Sequence, residues 1–138
     1  MIQRIQSLWL LLAAVAMSGL FYLPYYFASV NGLGQSITIV KDFVAIILVS
    51  ISIVLSIVTI FRFKNRKAQK GMIWLNILAV LGLLAWLLAV QVREFANDPQ
   101  AAYRIGAFLP VIVLVFLFLA LSGVRKDEKL LKSLDRLR

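Results

Sequence analysis

The sequence predicts an all-α membrane protein, a four-transmembrane-helix bundle followed by a short cytoplasmic amphipathic C-terminal helix. Three observations carry that prediction. Apolar residues make up 62% of the 138, against about half in soluble domains. Four apolar stretches reach the roughly 20 residues that a helix needs to cross a hydrocarbon core of ~30 Å. The charges, fifteen basic against six acidic, gather at the ends of those stretches and avoid their centres.

The spans are expected at about 5–27, 37–61, 72–92 and 101–124, so that 1–124 is the transmembrane domain and 125–138 the tail. The first begins MIQR-SLWLLLAAVA in outline, with a basic start, an apolar run and Ala14-Val15-Ala16 in the place of a signal-peptide cleavage site. The apolar run continues past Ala16 through Met17, Leu20, Phe21 and Tyr22, which predicts an uncleaved helix.

Orientation follows from the basic residues between spans. Arg4 precedes the first, Arg62, Lys64, Arg66, Lys67 and Lys70 join the second to the third, and Arg125, Lys126, Lys129, Lys132, Arg136 and Arg138 follow the fourth. The remaining loops hold only Lys41, Arg93 and Arg104. Both termini and the loop FRFKNRKAQKG are therefore expected in the cytoplasm. Topology thus accounts for the net charge of +9, and nucleic acid is not expected as a partner. On the opposite side, Tyr22, Tyr25, Tyr26 and Phe27 flank Pro24 as an aromatic belt, with Trp9 and Trp74 expected at the cytoplasmic interface. Trp86 falls in mid-span, where its indole N–H needs a partner.

Lipid tails offer no hydrophobic drive for helices to associate, so small residues and hydroxyls are expected at the seams. They are Ala14, Ser18 and Gly19 in the first span, Ser52, Ser56 and Thr59 in the second, Ala79, Gly82, Ala85 and Ala89 in the third, and Gly106, Ala107 and Ala120 in the fourth. Ser52, Ser56 and Thr59 share a helix face. They form a polar seam that reads either as interhelical hydrogen bonding or as the lining of a path for a solute. Pro110 removes a backbone bond and crowds the Gly106 carbonyl, which predicts a kink in the fourth span.

Catalytic chemistry is hard to assemble from these residues. Cysteine and histidine are absent, which excludes thiolate chemistry and the usual zinc and haem ligand sets; no cofactor is expected and no catalytic or metal site is assigned. Ionisable residues at mid-depth would mark a proton or ion path, and the spans contain none. Small four-span cation exporters are of similar length but need a carboxylate in the first span, where this chain has none. Lys41-Asp42 and Arg93-Glu94 stand at the outer ends of spans, with Asp98 and Arg104 as candidate partners across the rim. Asn76 and Gln91 are the amides of the third span, both near its ends. Gly32 and Gly34 in VNGLGQS lack the strand-to-helix setting of a phosphate loop and read as a turn.

The tail VRKDEKLLKSLDRLR carries its own pattern. On a helix, Leu130, Leu131, Leu134 and Leu137 share a face about 120° wide, with Glu128 and Asp135 on one flank and Arg125, Lys129, Lys132 and Arg136 on the other. Three readings stay open: a lipid-surface helix, a helix that docks its leucines on a membrane or cytoplasmic protein or on a second copy, and a solvated extension of the fourth span.

MIQRIQSLWLLLAAVA at the start, the four-span layout and RKDEKLLKSLDRLR at the end resemble a family of small integral membrane proteins of Bacteroidota, defined only as a domain of unknown function. The resemblance implies a bacterial inner (cytoplasmic) membrane and supplies no functional residue. The expected function is a non-enzymatic accessory or scaffold membrane subunit that docks through Leu130, Leu131, Leu134 and Leu137, with the lipid bilayer and a protein or homo-oligomeric partner around it. The alternative is a small-solute or lipid transporter or channel using Ser52, Ser56 and Thr59.

Overall fold

A computed structural model describes residues 2–30 and 33–135. Helix α1 (Ile2–Ser18) tightens into a 3-10 turn (Gly19–Phe21), and strands β1 (Tyr26–Val30) and β2 (Leu33–Ile37) follow. After a second 3-10 turn (Ile39–Lys41) come α2 (Phe43–Phe61), α3 (Arg66–Phe95), the short β3 (Ala102–Tyr103), a third 3-10 turn (Ile105–Phe108) and α4 (Leu109–Asp135). The helices close a ring in which α1 packs on α4 and α2, and α3 packs on α2 and α4.

By length and composition, α2, most of α3 (Arg66–Glu94) and the segment Ile105–Leu134 suffice to cross a membrane. The first apolar helix, Ile5–Phe21, is shorter. The bundle is apolar outside as well as inside. Leu8, Leu11 and Val15 of α1, Ile47, Ile51 and Val54 of α2, Leu75, Leu78 and Leu81 of α3, and Val111, Val115 and Phe118 of α4 are all exposed. Gln6, Ser52, Ser56, Thr59 and Asn76 are buried instead. Exposed apolar area on that scale fits lipid, since a soluble monomer keeps such patches small.

The starts of α2 and α3 have a local cause. Asp42 caps α2, its Oδ1 accepting from Val44 N at 3.0 Å and Ala45 N at 3.3 Å, which satisfies amides that a helix start leaves open. Asn65 does the same for α3, accepting from Ala68 N at 3.2 Å. The expected second span thus starts at Phe43 rather than 37, and α3 takes in Arg66 to Gly71, which were expected in the loop.

The largest departure from an all-α fold is a small antiparallel sheet of order β2-β1-β3 at the end away from the basic loop. Tyr26 pairs with Ile37 and Val30 with Leu33 in the hairpin, while Tyr26 pairs with Tyr103 and Phe27 with Ala102 on the other side. Residues 26 and 27, expected in the first span, and 101–104, expected in the fourth, therefore lie outside the helices. The VNGLGQS segment, read as a turn, supplies the facing strands of the hairpin; Asn31 and Gly32 lie outside the described residues. Tyr25 and Tyr26 turn into the protein rather than toward a lipid interface, while Tyr22 remains exposed.

Gly106 fits the sheet against the bundle. Its N–H donates to Pro24 O at 3.0 Å, and a Cβ there would lie 2.6 Å from Pro24 O and 2.8 Å from Leu23 O. Pro110 lies at the second residue of α4, where the missing N–H is one that the helix leaves free anyway. Pro110 thus stands at a helix start and not in a helix interior. Gly82, Ala85 and Ala89, expected at a seam, face outward, and α3 packs through Ile73, Ile77, Val80, Leu83 and Leu87. Large side chains fill that interface, so its small residues are left to the outer face.

Candidate functional site

Polar chemistry concentrates at three levels of the bundle. In the middle, Ser52 Oγ donates to Asn76 Oδ1 at 2.6 Å, and Asn76 Nδ2 donates to Ser56 Oγ at 2.8 Å and to Ser52 O at 3.3 Å. Thr59 Oγ1 donates to Leu55 O at 2.5 Å. The seam of Ser52, Ser56 and Thr59 is thus buried and bonded, with Asn76 of α3 as the hub. Asn76, expected near a span end, lies opposite the centre of α2 because α3 begins six residues earlier than its apolar run.

At the basic end, α4 does not stop at Val124. It runs without a break through Asp135, so the tail is an extension of α4 and no separate helix. Three contacts hold it. Gln6 Nε2 donates to Asp127 Oδ2 at 2.5 Å, both residues buried; Arg66 Nη1 donates to Asp127 O at 3.2 Å; and Lys70 Nζ pairs with Glu128 Oε2 at 3.1 Å. Lys132 adds an i,i+4 pair to Glu128 at 3.4 Å. Hydrogen bonds from Lys70 and Lys132 hold the Glu128 carboxyl below its usual range, and the charges of the same two lysines add to this. Gly123 makes the first contact geometrically feasible, because a Cβ there would lie 2.7 Å from Gln6 Cγ.

Beyond these contacts, Leu130, Leu131 and Leu134 are exposed, and Leu137 lies outside the described residues. Leu131 also borders a groove of about 610 Å³ shared with Phe63, Lys64, Arg66, Lys67 and Glu128. Asp127, to which the sequence reading gave no contact, proves to be a buried anchor. Gln6 in an apolar helix, and Gly123 one turn before Asp127, were the available signals.

At the hairpin end, a half-open cleft of about 400 Å³ lies between the starts of α2, the end of α3 and β2. Tyr25, Trp86, Ile37, Phe43 and Val90 supply its apolar and aromatic surface, and Lys41, Asp42 and Glu94 its charge. Trp86 Nε1 donates to Asp42 Oδ2 at 2.7 Å, which places the residue near the cap of α2 rather than in mid-span. Burial, then the Asp42 and Glu94 carboxylates, push the Tyr25 phenol up to about 12. The candidate cross-rim partners Asp98 and Arg104 form no ion pair with Lys41, Asp42, Arg93 or Glu94 among the described residues. Arg104 stacks over the Phe27 ring at 4.7 Å, and Asp98 accepts from Ser29 N and from Gln100 N.

Comparison with known proteins returns one family. Residues 2–137 match the family described as Domain of unknown function (DUF4293), and the chain belongs to it. No curated protein and no solved structure matches the chain.

Proposed function

We propose that the protein crosses a bacterial inner membrane four times, with both termini in the cytoplasm, and serves as a non-enzymatic accessory or scaffold subunit whose α4 extension docks a partner. The observation that carries this reading is the fixed extension with uncovered leucines. A lipid-surface helix needs a bend between the span and its amphipathic part, so that the latter can lie in the membrane plane. Here α4 continues as unbroken helix through Val124, and Gln6, Arg66 and Lys70 hold it at Asp127 and Glu128. Leu130 and Leu134 are thereby left exposed on a pre-ordered helix, with Leu131 bordering the groove beside the α2–α3 loop, which lowers the ordering cost of binding.

Four crossings are supported by the apolar outer face of α1 and by its length. With its 3-10 turn it spans about 30 Å, taking ~1.5 Å per α residue and ~2 Å per 3-10 residue. Orientation rests on the basic residues around the α2–α3 loop and the tail. Reporter fusions within 96–101 and after Arg138 are expected to give non-cytoplasmic and cytoplasmic signals, and the reverse pattern overturns the orientation.

Docking is tested by purification in mild detergent at native expression, from cells with the natural chain and with Leu130→Glu/Leu134→Glu. A stoichiometric partner or second copy lost in the double variant supports the reading; a natural chain that runs alone as a monomer counts against it. For solute or lipid passage along Ser52, Ser56 and Thr59 no observation speaks, since their hydroxyls are already bonded inside the bundle.

A further inference from the structure

The hairpin-end cleft has features that neither packing nor topology requires. Lys41 and Glu94 both line it, yet the ion pairs among the described residues are those of Glu128 with Lys70 and Lys132. Two opposite charges thus border one cavity without neutralising each other. Asp42 adds a second carboxylate, fixed by the α2 amides and by the Trp86 indole. Two carboxylates, half-buried Asp42 and exposed Glu94, thus line the cleft together with the rings of Tyr25 and Trp86, and the positive charge of the lining belongs to exposed Lys41. Phe43 is 76% exposed at the same level, where α2 enters the apolar layer. The volume of about 400 Å³ is within the usual range for small-ligand sites.

We propose that this cleft seats the head group of a phospholipid that carries a primary ammonium. The ammonium lies among Glu94, Asp42 and the rings of Tyr25 and Trp86, the phosphate faces Lys41, and the acyl chains leave past Phe43 and Val90. Charge order selects this class. An anionic head group would meet Glu94 and Asp42 with no cation of its own. A primary ammonium also brings N–H donors to a wall rich in acceptors, which a quaternary ammonium lacks; both gain from the aromatic faces. Burial chiefly, and then the Asp42 and Glu94 carboxylates, raise the pKa of Tyr25, so its phenol stays neutral beside them.

The test is native mass spectrometry of the full chain released from micelles that contain equal amounts of dioleoyl phosphatidylethanolamine, phosphatidylcholine and phosphatidylglycerol. Retention of phosphatidylethanolamine is expected to exceed that of the others by about fivefold, the effect of one partly exposed ion pair. Glu94→Gln is expected to abolish the preference and Glu94→Asp to restore it, with both variants eluting as the natural chain does because Glu94 is exposed. Lys41→Ala is expected to lower retention of phosphatidylethanolamine and phosphatidylcholine alike. Equal retention of the three lipids, or a preference that survives Glu94→Gln, overturns the proposal. Free phosphoethanolamine that displaces the lipid at equal concentration overturns the lipid as the source of the head group.

Discussion

Gln6 of α1 donates from Nε2 to Oδ2 of Asp127 in α4 at 2.5 Å, joining residues 121 positions apart at the charged end of the bundle. Gln6 is 4% exposed and Asp127 7%, so neither side chain has water as a ready substitute. Removing either one leaves the other buried without its partner, at a cost of ~1–3 kcal/mol. Gln6→Ala and Asp127→Ala are each expected to lower stability by that amount in detergent unfolding, and the double variant by less than the sum. Full additivity would show that the two side chains do not act as a pair.

Gly106 and Gly82 give opposite expectations for the same substitution. At Gly106 the obstructing atoms are the backbone of Leu23 and Pro24, which cannot rotate away; Gly106→Ala is expected to destabilise by about 1–3 kcal/mol. Gly82 has nothing within 4 Å of the added carbon, so Gly82→Ala is expected to be neutral or stabilising by up to ~1 kcal/mol through helix propensity. Thermal unfolding followed by circular dichroism distinguishes the two.

Asn76 supplies both serines of α2 with a partner across the interface. Asn76→Leu is expected to cost about 1 kcal/mol, a modest amount because a freed serine can bond its own helix, as Thr59 already does with Leu55 O. Equilibrium unfolding in mixed micelles measures it; a loss several times larger would mean that the amide holds more than the two hydroxyls.

Acid is expected to loosen the α4 extension. Glu128 has its carboxyl lowered from the usual 4.5 by hydrogen bonds from Lys70 and Lys132 and by their charges. A lowered folded-state value means the contribution is fully present above 4.5 and is lost as pH falls through the lowered value. A spin label at the exposed Ser133 should gain mobility on acidification below that range and not between neutral pH and 5 or so. High salt should have a similar effect at neutral pH, because both pairs are partly exposed.

Much of the bundle was legible in the sequence because it depends on local properties. Runs such as FVAIILVSISIVLSIVTIF can satisfy their backbone in lipid only as helix, whereas the starts that Asp42 and Asn65 cap were misplaced because hydropathy alone set them. The hairpin was missed although Asn31-Gly32 is a favoured dipeptide for two-residue loops. Tyr26, Phe27 and Ile37 were read as span because hydrophobicity alone does not distinguish a buried strand from a helix end, and the residues between them as loop and turn. The outward face of Gly82, Ala85 and Ala89 was likewise illegible, since a stripe of small residues gives no sign of which neighbour it meets.

The sequence by itself determined the apolar helices, the clustering of charge at their ends and the amphipathic pattern of the tail, all of which follow from composition and short-range spacing. Only the tertiary structure decided that Asp127 meets Gln6, that Asn76 meets Ser52 and Ser56, that Trp86 meets Asp42, and that Lys41 and Glu94 face one cleft. These partners are 20 to 121 residues apart where they bond, and no local preference specifies them. The closed ring of helices does so, because a buried polar group must find whatever partner the packing brings within reach.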